Sequence, residues 1–323
     1  MRELSLVLTD FALPGDSDAP VPPLPALERL LARGEHGESR VSDWRRWVLR
    51  GAGVRWQGGL ALAATIAGRP GHWALATPVH LLAGLERVHL DPTGLPALSE
   101  AEQGRLADDF NRDFGTEGYS LSFVDGAGLL RMPEAIDADC HDPQRLSGAD
   151  AGAWLPSGPD GPALRRLMTE IQMWLHGHGI NAERERTGAA LVNALWIWGF
   201  GDGMPATGTD GLPRLASPDP FLRAVWRRSM GELDEPPAGL AACLQQSDAT
   251  RLVVTADVAG PGGSYSSAIE EADANWFAPL EAALASGRVG TARLLLAGRE
   301  VTLRPRDRVR FWRRRRAWSE VLA

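Results

Sequence analysis

The chain has 323 residues, of which 44% are hydrophobic, and it carries a formal net charge of −7. This length and composition suit two domains, or one large α/β domain with an insertion, and they argue against a disordered or fibrous chain. No hydrophobic run approaches the ~20 residues of a membrane-spanning helix, and the N-terminal residues lack the pattern of an export signal. We therefore expect a cytoplasmic protein with no membrane partner.

The N-terminal 70 residues predict a strand followed by helices. The run LSLVLTD favours a short buried strand that ends at Asp10. The run LPALERLLARG places leucines on one helical face and ends at Gly34, which is typical of a helix stop. Ser42 precedes DWRRWVLRG and is predicted to cap that helix, because a serine hydroxyl can accept from the free N–H groups of the first turn.

The pattern changes at Gly71, and residues 71–162 predict an inserted α+β subdomain. The stretch that begins HWALATPVHLL favours strands. Ser99 and Glu102 form a capping-box pattern at the start of a helix. Further along, Asp125-Gly126 separates YSLSFV from GLLRM, which is a strong hairpin signal. The Gly- and Pro-rich segment 155–163 ends the subdomain.

The segment from Met173 to Pro205 holds the strongest candidates for a functional site. Apolar residues spaced three and four apart predict a helix from Leu164 to His178, and a polar connection and a buried strand in ALVNALWIWGFG follow. The ligand-binding candidates are polar or aromatic side chains of this segment: His178, Asn181, Arg184, Asn193, Trp196 and Trp198. A buried amide without a partner costs about 1–3 kcal/mol, so these side chains either pair with one another or bind a polar ligand.

These residues fill the pattern H-x-x-N-x-x-R-x-x-x-G-x-x-x-x-N-x-x-W-x-W-G-x-G. The pattern resembles a region of the archaeal-type cofactor-independent phosphoglycerate mutases, which belong to the alkaline-phosphatase superfamily. It is more similar still to the RpfE-type bacterial regulatory proteins, which HWALATPVHLLAG, WFAPLEAAL and RFWRRRR also resemble. The resemblance implies a three-layer, alkaline-phosphatase-like α/β core formed by 1–70 and 163–323, with 71–162 as the inserted α+β subdomain.

The resemblance also implies a metal site, for which the sequence lacks ligands. Asp10 and Asp257 stand where the superfamily has metal-binding aspartates at strand ends, but Val258 takes the place of a histidine. None of the seven histidines follows His178. Because two-metal phosphoryl transfer needs several carboxylate and histidine ligands, we expect no metal and no cofactor, with Asp10 and Asp257 as vestiges of the site.

The sequence therefore leaves two hypotheses for the function. The first is a noncatalytic regulatory or ligand-binding protein on a degenerate phosphoglycerate mutase-like scaffold, with the regulatory role implied by the resemblance alone. In this interpretation Arg184, Asn181 and Asn193 bind an anionic or phosphorylated small molecule, because guanidinium and amide groups suit such a ligand. The alternative is a metal-dependent phosphoglycerate mutase or phosphatase with a rearranged metal site.

The C-terminal segment is strongly basic. Between positions 304 and 316 eight arginines face the single acid Asp307, so this segment carries +7 and the rest of the chain −14. The alternation in LRPRDRVRF predicts an edge strand with arginines on its solvent side. Phe311, Trp312 and Trp318 are expected to anchor the segment to the core. The acidic remainder disfavours a nucleic-acid partner.

Overall fold

The computed structural model describes residues 2–9, 11, 21–84, 87–91, 95–146, 150–206, 211–235, 238–246, 248–258 and 265–322. The chain forms two compact units: the first comprises Met1–Arg55 with Ala206–Ala323, and the second is Trp56–Pro205. In the described part of the chain, no helix is long and apolar enough to cross a membrane.

The strands are β1 (Arg2–Leu8), β2 (Glu35–His36), β3 (His72–Val79), β4 (Leu81–Ala83), β5 (Val88–Leu90), β6 (Ser120–Val124), β7 (Ala127–Met132), β8 (Ala194–Trp198), β9 (Arg214–Ala216), β10 (Leu233–Asp234), β11 (Arg251–Ala256), β12 (Val289–Leu296) and β13 (Arg299–Leu303). The helices are α1 (Pro25–Arg33), α2 (Trp44–Gly51), α3 (Leu62–Ala67), α4 (Glu100–Phe114), α5 (Gly161–His176), α6 (Gly179–Thr187), α7 (Pro220–Arg228), α8 (Leu240–Gln246), α9 (Tyr265–Ala272), α10 (Ala278–Ala285) and α11 (Trp318–Leu322). A π-helical turn, Asp273–Phe277, joins α9 to α10.

The first unit is built on a seven-stranded mixed sheet, in the order β10-β9-β11-β1-β12-β13-β2. Strands β10, β9, β11, β1 and β12 run parallel, β13 pairs antiparallel with β12, and β2 pairs antiparallel with β13. Strand β1 pairs with β11, with Leu4 opposite Leu252. The predicted α/β class is confirmed.

Helices cover both faces of this sheet. Leu4, Leu6 and Leu8 of β1 belong to one apolar cluster together with residues of α1 and α10. Because successive side chains of a strand point to opposite faces, Arg293 of β12 lies on the face opposite its neighbour Leu294, which joins that cluster. The Arg293 guanidinium lies 4.5 Å from the ring centroid of Trp47, which places α2 on that second face.

Two helix starts in this unit are capped by residues that the sequence did not single out for that role. Asp43, rather than the predicted Ser42, caps α2 and accepts from the N–H groups of Arg45 and Arg46. Helix α1 has no side-chain cap of its own. Instead the carboxylate of Asp273, in the π-helical turn, accepts from Ala26 N and Leu27 N at 3.1 and 2.9 Å. A distant carboxylate therefore serves the α1 start.

The second unit contains a four-stranded antiparallel sheet in the order β6-β7-β3-β8 and a small β4-β5 pair. The predicted hairpin is confirmed, because Asp125 and Gly126 join β6 to β7 with positive φ angles of 49° and 80°. The capping box of Ser99 and Glu102 at the start of α4 is confirmed as well.

This unit is larger than the predicted insertion at 71–162. Strand β8 pairs with β3 from Val79 opposite Ala194 to Leu75 opposite Trp198, and 163–205, which the prediction gave to the core, lies in the second unit. The first residues of this unit, from Trp56, include α3. The hydrophobic pattern of β8 fits a central strand of either sheet, and for that reason the sequence could not assign it.

Two predictions about local secondary structure are wrong. The expected polar connection after His178 is helix α6, which His178 caps through its ring and Gly188 ends with φ 71°. The expected edge strand in LRPRDRVRF stops with β13, because Pro305 cannot donate to a strand ladder and Pro305–Val309 forms a 3₁₀ turn. Of the three aromatic side chains expected to anchor the C-terminal segment, only Trp318 is buried.

Candidate functional site

The six predicted ligand-binding side chains all lie in the second unit, where each has hydrogen-bond partners within the chain. Asn181 and Asn193 share one device: the amide oxygen accepts from the backbone N–H of one residue, and the amide nitrogen donates to the carbonyl of the same residue. Asn181 does so with Val192 at 2.9 and 2.8 Å, and Asn193 with Leu81 at 2.7 and 2.8 Å. We call this arrangement an amide clamp.

A third amide clamp lies in the same unit. Asn111 of α4 pairs with both backbone groups of Leu121 at 2.7 and 2.9 Å. A clamp reproduces the two hydrogen bonds that a neighbouring strand would supply. Asparagine therefore completes the backbone pairing of Leu81, Leu121 and Val192, since buried backbone groups need partners.

Arg184 is buried, with 5% of its surface exposed, and its guanidinium links three chain segments. Nε donates to Ala190 O at 2.6 Å, and Nη1 donates to Ala97 O at 3.1 Å and to Glu102 Oε1 at 2.6 Å. Burial opposes the ionisation of Glu102, but hydrogen bonds from Ser99 and Arg184 hold the pKa of this carboxyl below its ordinary value. The predicted anion-binding arginine thus pairs with an internal anion.

His178 also has both ring nitrogens engaged. Nδ1 accepts from Ile180 N at 3.3 Å, so Nε2 carries the proton and donates to Asp109 Oδ2 at 3.1 Å. Arg112, together with the smaller effect of His178, lowers the pKa of Asp109. This geometry orients the ring as a helix cap.

Trp196 and Trp198 stand two residues apart on β8 and therefore share a face of the sheet. Their ring N–H groups have separate partners, since Trp196 donates to His141 O at 2.9 Å and Trp198 to Thr77 Oγ1 at 2.8 Å. Both rings are buried. The polar residues of this segment could pair with one another or bind a polar ligand. The observed hydrogen bonds are those of internal pairing.

A cavity in another part of the molecule has a shape that suits a ligand. A cavity of about 300 Å³ lies in the first unit, at the carboxyl ends of β9 and β11. Its wall is formed by Pro218 after β9, by Ala238 before α8, by Thr255–Val258 at the end of β11, and by residues of α9 and the π-helical turn. In open α/β sheets, ligands bind in the crevice outside the carboxyl ends of the strands.

The strand ends bring polar groups to this cavity. Asp257, immediately after β11, accepts a hydrogen bond from the hydroxyl of Thr9, which follows the adjacent parallel strand β1. Thr255 lines the cavity and pairs through its hydroxyl with the buried Ser217 after β9. The predicted location of Asp257 at a strand end is thus observed, whereas Asp10 lies outside the described residues.

The opposite wall comes from α9 and the π-helical turn, which carry Glu271, Asn275 and Trp276 into the lining. Glu271 and Asn275 are exposed, whereas Trp276 is 6% exposed. The π-helical turn widens the helix by one residue, and such turns occur frequently at functional sites. The same turn supplies Asp273 to the start of α1, which fixes it against the first unit's core.

Among the described residues, the cavity lining contains two carboxylates, Asp257 and Glu271, and no basic side chain. Such a lining favours a ligand with amine or hydroxyl donors over a bare phosphate. Among the described residues, no group of three or more His, Cys, Asp or Glu side chains is arranged to hold a metal ion.

Sequence reasoning identified Asp257 but missed Glu271, Asn275 and Trp276. Their only sequence signal is position, because they follow the glycine-rich sequence AGPGGS at positions 259–264. A strand, a glycine-rich loop and a helix in that order are a recurrent arrangement for ligand binding. The amides and tryptophans of 173–205 form a more distinctive pattern, and the sequence therefore predicted the site there.

Neither a family model nor a curated protein matches the chain. Among solved structures, it is similar to a cofactor-independent phosphoglycerate mutase from Thermoplasma acidophilum DSM 1728, with 18% identity, a TM-score of 0.39 and coverage of 94% of this chain and 90% of that chain. It is also similar to the PH0037 protein from Pyrococcus horikoshii, with 14% identity, a TM-score of 0.43 and coverage of 93% and 85%. At these identities and TM-scores, activity and site residues have to be argued from this chain itself.

Proposed function

We propose that the chain is a noncatalytic ligand-binding protein with a regulatory role, on a phosphoglycerate mutase-like scaffold, and that its site is the cavity at the carboxyl ends of β9 and β11. The cavity itself carries the proposal: about 300 Å³ suits a small molecule, and polar groups converge on it from strand ends and from the π-helical turn. Its location at the carboxyl edge of a parallel sheet is the usual one for ligands of such folds.

The side chains that line the cavity determine which chemical groups a ligand needs. Asp257 and Glu271 offer carboxylate acceptors, Asn275 offers an amide, and Trp276 offers an apolar wall. A small molecule with an amine or several hydroxyl groups matches this set. The phosphorylated ligand predicted from Arg184 has no such match here, because the Arg184 guanidinium binds Glu102 and two backbone carbonyls.

A thermal-shift screen tests this proposal. The purified protein is scanned with a panel of small amines, polyols and phosphorylated metabolites, and a compound at 100 times its Kd stabilises the folded state by about 2.7 kcal/mol. We expect an amine or polyol to raise Tm, and we expect Asp257→Asn and Asn275→Ala to remove that rise. Asp248→Asn, a change at a fully exposed carboxylate of the same unit, is the matched control. A rise that survives both cavity variants would contradict the proposal.

The second candidate is a metal-dependent phosphoglycerate mutase or phosphatase with a rearranged metal site. One observation favours it: Thr9 and Asp257 meet at the ends of adjacent parallel strands, and Asp10 follows Thr9 in the sequence. Divalent ions held there would turn the acidic lining into a phosphate-binding surface.

Metal analysis separates the two candidates. The binding-protein proposal predicts less than one divalent ion per chain after purification and no phosphoglycerate interconversion or phosphomonoester hydrolysis with added Mn²⁺ or Mg²⁺. Two bound ions per chain, with turnover that Asp257→Ala abolishes, would establish the enzyme instead.

A further inference from the structure

The C-terminal segment exposes two large aromatic side chains next to each other. Phe311 is 79% and Trp312 68% exposed, and their ring centroids lie 5.6 Å apart at an interplanar angle of 79°. Large aromatic side chains are usually well buried in folded chains, and clustered exposure of this kind marks an interaction surface. We call residues 311–316 the aromatic-arginine segment.

Contacts at both ends hold this segment against the first unit. On the N-terminal side, Arg310 donates to Arg33 O and to Glu35 Oε1, both at 3.0 Å. Within it, Arg313 donates to Gly34 O at 3.0 Å, and just beyond it Trp318 is buried and donates to Pro22 O. The aromatic pair is therefore presented by anchored backbone, which lowers the ordering cost of binding.

The charged residues of the aromatic-arginine segment itself are all arginines. Arg313, Arg314, Arg315 and Arg316 follow Trp312 directly and are all exposed. The one acid among residues 304–316, Asp307, is 2% exposed and accepts from Arg304 N, so it adds little to the outer surface. Four guanidinium groups, which bind phosphate oxygens well, thus follow the apolar wedge, while Glu35 pairs with Arg310 before it and Glu320 with Arg316 after it.

We propose that the aromatic-arginine segment docks on an anionic phospholipid surface. Phe and Trp rings enter the interface between headgroups and acyl chains, and basic side chains beside them pair with lipid phosphates. The edge-to-face packing of Phe311 on Trp312 makes one compact wedge, whereas single-stranded nucleic acid requires separate ring faces on which bases stack along a basic groove.

Vesicle sedimentation of the full chain tests the proposal. We expect binding to phosphatidylcholine vesicles with about 30% phosphatidylglycerol, much weaker binding to pure phosphatidylcholine, and loss of binding at high salt. F311S/W312S should weaken binding at least tenfold. R314A/R315A should weaken it about 25-fold, because each arginine near an anionic surface contributes about fivefold.

Two matched controls keep the result interpretable. R166A/R186A removes two exposed arginines of the second unit, and M173S removes an exposed apolar side chain there; both should bind vesicles like the parent. Equal binding to charged and uncharged vesicles, or equal loss in the controls, would overturn the proposal. Tighter binding to a single-stranded oligonucleotide than to anionic vesicles, weakened by the same segment variants, would overturn it in favour of nucleic acid.

Discussion

The segment around α6 and β8 and the carboxyl edge of the seven-stranded sheet differ in how they use polar side chains. In the first region, Asn181, Arg184 and Asn193 are directed to backbone groups and to Glu102 of their own unit. In the second, Asp257 and Asn275 face a cavity and are exposed. In this chain, a dense run of amides and arginine in the sequence therefore serves hydrogen bonding within the second unit.

The physical reason lies in the backbone. Around α6 the chain makes short irregular turns, and the backbone groups of Ala190 and Val192 lie outside any strand. Buried groups of this kind must be paired, and here side chains pair them. In the parallel sheet, the ladder satisfies the backbone of β1 and β11, so this backbone does not depend on the side chains that follow the strands.

The largest expected effect is that of Arg184→Ala, in the region around α6. The change removes the Arg184 donor from Glu102 Oε1 and from the carbonyls of Ala97 and Ala190, and we expect the free energy of unfolding to fall by about 3 kcal/mol. Denaturant unfolding measures the loss. Arg186→Ala, at an exposed arginine of the same helix, should change stability by less than about 0.5 kcal/mol. Equal losses of stability in the two variants would show that the hydrogen bonds of the buried Arg184 do not stabilise the unit.

Removal of an amide clamp should come next. Asn193→Leu leaves both backbone groups of Leu81 without the amide partner, at a cost of about 2 kcal/mol. Asn111→Leu, which removes the clamp on Leu121, should cost a similar amount. Thermal unfolding of the two variants compares them, and a loss below about 0.5 kcal/mol in both would show that the clamps do not stabilise the unit.

Acid should weaken the second unit through Glu102. The pKa of this carboxyl is lower in the folded chain than its ordinary 4.5, so its contribution is fully present above that ordinary pKa and is lost as the pH falls through the lowered folded value. We expect Glu102→Gln to cost about 1 kcal/mol at neutral pH and to unfold with a flatter acid dependence than the parent. Glu100→Gln, at an exposed carboxyl of the same helical turn, should keep the parent's acid dependence.

The smallest effect on stability is expected at the cavity. Asn275→Ala removes an exposed amide and should change the free energy of unfolding by less than about 0.5 kcal/mol. An amide clamp and a cavity asparagine would then differ by more than about 1 kcal/mol when measured in the same denaturant series. A large loss at Asn275 would mean that the cavity wall, too, is held by polar contacts within the chain.

The sequence predicted those parts of the fold that local pattern determines. The start of α4, the hairpin at Asp125-Gly126 and β8 were recognised because capping, turn and hydrophobic signals act over a few residues. The α6 helix was missed because its cap is a histidine ring, which is an unusual cap, and the α1 cap was missed because Asp273 lies far away in sequence. Partners brought together by tertiary structure leave no local pattern.

The candidate site was predicted less well than the fold. Asp257 was placed correctly at the end of a strand, yet Glu271 and Asn275 face the same cavity only through the packing of α9 and the π-helical turn. Arg184 had the residue type of an anion site, but its charge is matched by Glu102 from another helix. The residue type of Arg184 thus predicted an anionic partner, and the tertiary structure supplies that partner from within the chain.

The amide clamps also set an order in which the second unit can assemble. The Asn111–Leu121 and Asn181–Val192 clamps join residues only 10 and 11 positions apart, so a short loop closes each of them. The Asn193–Leu81 clamp joins residues 112 positions apart and costs more chain entropy to close. The two local clamps can therefore form with their helices, whereas the third must wait until β8 has found β3, and it fastens the unit only at the end of folding.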